Sequence, residues 1–250
     1  MRNCRLWSVF NKGVFLPTGL LAASLFLLSV PVAAVVNVEG TRVIFNAEET
    51  TVSLNLANTE KQPTLVQLWS DNGDLRVSPD KVSTPVIAVP PVFRMAPGEI
   101  RTVRLLLSSR AGLPGDRETL YWLNVFQVPP NTAEPAANKE RKVVLPLRLR
   151  MKVFVRPAGV DKLVEQDGGQ LQFAVKKSGE DSFFSITNPT PWYMTLLGMT
   201  LDGIELESVM IPPRSNIDIP LKRAVKKGQI QYQIINDMGN RWSYTANVRS

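Results

Sequence analysis

Between residues 41 and 248 the chain is built from short runs of β-branched, aromatic and leucine residues, each ended within a few positions by proline, glycine or asparagine. Runs this short do not make useful helices, and their alternation of apolar with polar positions has the period of a strand with one buried face. The first half carries seven such runs, at 41–46, 51–57, 64–70, 86–88, 101–107, 120–128 and 143–155. Seven short strands separated by turn signals predict a β-sandwich. Val52, Leu54 and Leu56 alternate with Ser53, Asn55 and Ala57, and the run 65–69 reads as their hairpin partner across the turn Asn58-Thr59-Glu60-Lys61. After Arg156-Pro157-Ala158-Gly159 the same grammar restarts, with runs at 171–175, 183–187, 194–201, 217–220, 229–235 and 242–248. A second β domain is therefore expected, joined to the first by a short Pro/Gly hinge.

The N-terminus is set apart from this pattern. Arg2, Arg5 and Lys12 precede an apolar stretch over 14–32 that ends in Val32-Ala33-Ala34, the order of a cleaved signal peptide. Residues 1–34 are read as that leader, 35–157 as the first domain and 158–250 as the second. Dropping the leader's three basic residues leaves 26 basic against 22 acidic, a mild excess with no block resembling a nucleic-acid-binding arm. The single cysteine, Cys4, lies in the leader, so the exported chain must be held by its cores alone. No histidine occurs anywhere, which removes His-ligated zinc and any nucleophile activated by histidine. No enzymatic activity and no cofactor or metal is expected. Trp122, Trp192 and Trp242 read as core or interface aromatics rather than a sugar platform, since no paired carboxylates accompany them.

The most specific stretch is the loop and strand Leu113-Pro114-Gly115-Asp116-Arg117-Glu118-Thr119-Leu120-Tyr121-Trp122-Leu123-Asn124-Val125-Phe126-Gln127-Val128-Pro129. Thr41-Arg42-Val43-Ile44-Phe45, Pro90-Pro91-Val92-Phe93-Arg94-Met95-Ala96-Pro97-Gly98 and Lys152-Val153-Phe154-Val155-Arg156-Pro157 stand around it in order, and Asn188-Pro189-Thr190-Pro191-Trp192-Tyr193 and Ile235-Asn236-Asp237-Met238-Gly239 follow. Together these resemble the PapD-like periplasmic chaperones of pilus and fimbrial assembly, over essentially the whole mature chain. The resemblance implies two immunoglobulin-like sandwiches in a boomerang arrangement. It implies a protein exported to the periplasm that binds, folds and caps pilus or fimbrial subunits and delivers them to an outer-membrane usher. Its mechanism would be donor-strand complementation, in which a chaperone strand is lent to an incomplete subunit. A homodimer in which two free chains cover one another's strand is left open.

The resemblance assigns the lent strand to Val143, Leu145, Leu147 and Leu149. Those residues, continued by Met151 and Val153, form an apolar file opposite a mostly polar one of Val144, Pro146, Arg148, Arg150, Lys152 and Phe154. Periodicity alone favours an ordinary sandwich strand whose apolar face fills its own core, and both readings hold if the C-terminal half packs at home while the first half projects. Pro146 departs from the family pattern, because proline donates nothing to a ladder and is tolerated on edges. Arg42 and Lys152 match the family's two basic cleft residues, a clamp for the subunit's C-terminal carboxylate. Glu118, Arg156 and Asp237 match its charged cluster between domains. The short loop over 130–142 matches the family's short-loop branch. One alternative is an exported structural pilus subunit or adhesin of immunoglobulin-like fold, and another is an enzyme on that scaffold.

Overall fold

The computed structural model describes residues 36–130, 145–179, 181–221 and 228–249, so the expected leader lies outside the described residues. Residues 36–155 supply nine strands: β1 Val36–Val38, β2 Arg42–Phe45, β3 Thr51–Asn58, β4 Thr64–Asp71, β5 Val86–Val89, β6 Val92–Met95, β7 Ile100–Leu107, β8 Thr119–Val128 and β9 Leu147–Val155. They form two sheets, in the orders β1-β3-β7-β5 and β2-β9-β8-β4-β6. All their pairings are antiparallel except β2 with β9. The inward positions of both sheets meet in one core that includes Phe45, Leu56, Val66, Met95, Leu105 and Val153. Alternation decides which residues face it: in β3, Leu54 and Leu56 are buried while Ser53 and Asn55 are not.

Residues 172–248 supply β10 Gln172–Ser178, β11 Asp181–Asn188, β12 Met194–Leu201, β13 Ile204–Leu206, β14 Val209–Ile211, β15 Ser215–Leu221, β16 Gly228–Ile235 and β17 Arg241–Val248. A sheet β10-β11-β15 faces a sheet β13-β12-β16-β17, with β14 also pairing β12. Phe184, Ile186, Met194, Leu196, Tyr232 and Ile234 are among the residues of the second core. One helical turn, α1 Glu165–Gly168, is tied to this lobe where the Tyr232 and Tyr244 hydroxyls donate to the Gly168 and Glu165 carbonyls. Two sandwiches are therefore present, with strands over every run read from the sequence within the described residues. The short strands β1, β6, β13 and β14 were not among those runs; at three or four residues they offer little alternation.

The expected hairpin of the runs 51–57 and 65–69 does not form. β3 pairs with β1 and β7, whereas β4 lies in the opposite sheet between β6 and β8. Asn58, fully buried at the end of β3, causes the crossing: its side-chain amide donates to the Gln62 and Ala96 carbonyls at 3.0 Å each, and its side-chain oxygen accepts from the Glu60 amide. An asparagine satisfied in this way turns the chain over the end of the core. Asn188 repeats the device at the end of β11, donating to the Trp192 carbonyl at 2.7 Å and the Pro212 carbonyl at 3.0 Å. Between β5 and β6 the Val89–Pro90 bond is cis.

Candidate functional site

β9 has two halves with different surroundings. Its ladder with β8 runs from Leu147 to Val155, but β2 covers the other side only from Lys152 to Val155. Among the described residues, the backbone from Leu147 to Met151 thus has one free edge. The apolar file divides at the same place: Met151, Val153 and Val155 are buried in the core, while Leu145, Leu147 and Leu149 are 74%, 43% and 39% exposed. Leu145 and Pro146 precede the first paired residue, so the proline removes no hydrogen bond from the β8 ladder. Val143, the fourth residue assigned to the lent strand, lies outside the described residues, as does most of the loop expected over 130–142.

The register of β2 against β9 places Arg42 directly beside Lys152 at the point where the free edge begins. Both side chains reach toward the C-terminal lobe. Arg42 Nη1 donates to the Ile235 carbonyl at 3.1 Å, and Lys152 Nζ donates to Thr195 Oγ1 at 2.8 Å. The Arg42 guanidinium also lies over the Phe154 ring at 5.9 Å, and its buried Nε has no hydrogen-bond partner. Neither cation is ion-paired with a carboxylate among the described residues. They line a cleft of about 280 Å³ with Trp122, Arg150, Leu197 and Arg241. Burial, and the neighbouring Arg42, pull the Lys152 ammonium down to about 8. Burial also lowers Arg42, against the opposing pull of Asp237 and Glu118. Two partly desolvated cations side by side favour an anionic group through charge-assisted hydrogen bonds.

Glu118, Arg156 and Asp237 meet between the lobes. Arg156, 1% exposed, donates from Nε to Glu118 Oε1 at 2.7 Å and from Nη1 and Nη2 to the two Asp237 oxygens at 2.8 and 2.7 Å. Glu118 Oε2 accepts the Tyr193 amide at 2.8 Å, and the Glu118 amide donates to the Pro191 carbonyl at 2.9 Å. Every donor of this guanidinium that is named here has an anionic acceptor, which is the condition for burying a charge without a large penalty. Burial opposes the Arg156 charge, but the two carboxylates outweigh it and hold its pKa above the usual value.

Sequence reading missed Thr195, Ile235, Arg150 and Arg241 as cleft residues. Arg150 could have been found, because it is two residues before Lys152 on the same polar file. Thr195 and Ile235 could not, since only the packing of one lobe on the other brings them to Lys152 and Arg42. Trp192 is a core residue of the second lobe, Trp242 packs partly buried against that core, and Trp122 lines the cleft.

Comparison with known proteins matches residues 35–161 to the N-terminal domain family "Pili and flagellar-assembly chaperone, PapD N-terminal domain". Residues 167–246 match "Pili assembly chaperone PapD, C-terminal domain". The chain is 36% identical to the chaperone protein MrkB of Klebsiella pneumoniae over 81% of its own length and 86% of that protein's. It is similar to the crystal structure of the Pseudomonas aeruginosa CupB2 chaperone, at 30% identity and a TM-score of 0.71, covering 85% of this chain and 100% of that one. It is also similar to a chain in the Salmonella enterica structure of SafA pilin in complex with the SafB chaperone, at 27% identity and a TM-score of 0.71, covering 87% of this chain and 98% of that one.

Proposed function

The chain belongs to the family of PapD-like pilus assembly chaperones, and on that premise we propose that it captures pilus or fimbrial subunits with the open half of β9. One observation carries this reading. Two exposed leucines, Leu147 and Leu149, stand on the free-edged stretch of β9 and a third, Leu145, just precedes it, in line with the Arg42 and Lys152 pair that has no carboxylate ion-pair partner among the described residues. A subunit strand could add to that edge while the leucines enter the gap in the subunit's core. Its C-terminal carboxylate would fix the register by binding the two cations. Exposures of 74%, 43% and 39% amount to about one and a half leucine side chains, so their burial would contribute about 2–5 kcal/mol. Val143 would add a further anchor.

The same reading places residues 1–34 as a cleaved leader, 35–157 as the capture domain and 158–250 as the second domain, with the protein acting in the periplasm and passing subunits to an outer-membrane usher. Among the described residues no helix is long and apolar enough to cross a membrane. Glu118, Arg156 and Asp237 would hold the two lobes at the angle that forms the cleft. In the free protein a second copy could cover the exposed leucines. Both lobes match a chaperone family, which speaks against a polymerised structural subunit.

Co-purification of subunits with the tagged chain from periplasm tests the reading. Arg42→Ala and Lys152→Ala should each keep the fold and lose capture. Capture at the wild-type level by both variants would overturn the clamp, and a wild-type chain that retains no subunit would overturn the function.

A further inference from the structure

A strand that is to be lent must keep its inner face and one edge open. For residues 147–150 that leaves only the β8 ladder and the outer face to hold the backbone straight. On that outer face Arg148 and Arg150 reach back across β8 to one residue, Asp71, the last of β4, which is completely buried. Arg150 Nη2 donates to Asp71 Oδ1 at 2.5 Å, and Arg148 Nη2 lies 3.5 Å from Oδ2. Between the strands Asn124 serves both sides: its amide donates to Asp71 Oδ2 at 2.7 Å, and its oxygen accepts from Arg148 Nε at 2.8 Å. The guanidiniums are also stacked, Arg148 over Trp69 at 4.9 Å and Arg150 over Trp122 at 4.6 Å. Arg148 Nη1 donates to the Leu75 carbonyl at 3.0 Å, beyond the end of β4.

The placement is selective. Both arginines come from the stretch that β2 leaves uncovered, and both stand on positions alternating with the exposed Leu147 and Leu149. Their charge is answered at one buried carboxylate, which also accepts the Gly73 amide at 2.7 Å and so cannot swing away. An open-edged strand without such support would have to be ordered at the moment of binding, at the expense of affinity and rate. We propose that Asp71 is a positioning residue for capture: acting through Arg148, Arg150 and Asn124, it fixes the open half of β9 in extended register before a subunit arrives. This rests on the capture reading given above.

Hydrogen exchange of the free mature chain, compared with the rate at which it captures a pilus subunit diluted from denaturant, tests the proposal. Losing a charge-assisted hydrogen bond corresponds to a change of about tenfold in the local opening equilibrium. Asp71→Asn should therefore speed exchange over 145–151 by about tenfold while β3 and β7 keep their wild-type protection, and capture should slow by a similar factor. Arg150→Gln should have the same local effect and add little to Asp71→Asn; it also decides the matter if Asp71→Asn does not fold. Unchanged exchange over 145–151, exchange rising equally across the lobe, or wild-type capture by a loosened strand would each overturn the role. Failure of the wild-type chain to capture any subunit would remove the capture reading, while the exchange comparison, which needs no subunit, still decides whether Asp71 holds the strand.

Discussion

Replacing Glu118 by alanine should be strongly destabilising, and more so than replacing Asp237. The carboxylate accepts Arg156 Nε at 2.7 Å and the Tyr193 amide at 2.8 Å, and the arginine and glutamate side chains are each 2% exposed. Removing one partner of a buried ion pair costs about 3–5 kcal/mol, because the other charge stays behind. Asp237 keeps both Nη groups of Arg156, so the lower end of that range applies, about 3 kcal/mol. The stranded Tyr193 amide adds about 1 kcal/mol more. With a urea slope of about 2–3 kcal/mol/M, a loss of this size lowers the unfolding midpoint by about 1.5–2 M. Asp237→Ala should cost less, about 2 kcal/mol, since its side chain is 22% exposed and water can replace the lost oxygens. Urea titrations followed by tryptophan fluorescence read both variants. A Glu118→Ala midpoint within about 0.3 M of the wild type, or a larger loss for Asp237→Ala than for Glu118→Ala, would refute the assignment of Glu118 as the buried half of the cluster.

Lys152 gives a pH dependence with two opposite signs. Its pKa of about 8 lies below the 10.5 of an ordinary lysine, so from pH 8 to 10.5 the unfolded chain binds the extra proton and the free protein should gain stability as pH rises through that window. Capture of a carboxylate should weaken over the same rise, and Lys152→Arg should abolish the weakening; binding measured at pH 7 and 9 separates the two. Leu147→Ser should leave the unfolding free energy within about 0.5 kcal/mol of wild type, as for other exposed sites, yet weaken subunit capture by about three- to tenfold, read by competition for a limiting subunit. Gly239→Ala should destabilise by about 1–3 kcal/mol in thermal unfolding: its φ is +83°, and an added Cβ would meet Thr41 Oγ1 of the other lobe at 2.8 Å.

Much of this architecture is legible in the sequence, because burial on one face of a strand leaves a period-two record in the residues themselves. The alternation of Leu54 and Leu56 with Ser53 and Asn55 states which side is wet without reference to any other strand. It is silent on partners. The runs at 51–57 and 65–69 would look the same as a hairpin or as strands of facing sheets, and only the buried corner at Asn58 decides for the latter. The file from Leu145 to Val155 shows the same limit within one strand. Its apolar residues are alike in sequence, yet Met151, Val153 and Val155 meet a core while Leu145, Leu147 and Leu149 meet solvent. What distinguishes them is where β2 and the opposing sheet end, a property of elements distant in the chain. Arg42 and Lys152 are far apart in sequence and became a pair through the parallel register of β2 and β9, and Thr195 and Ile235 reached them only because the second lobe packs against the first. The sequence by itself determined which faces are apolar, where the turns fall and which charges are available. Tertiary structure decided which apolar face stays open and which charges meet, because exposure and pairing depend on neighbours supplied by the rest of the chain.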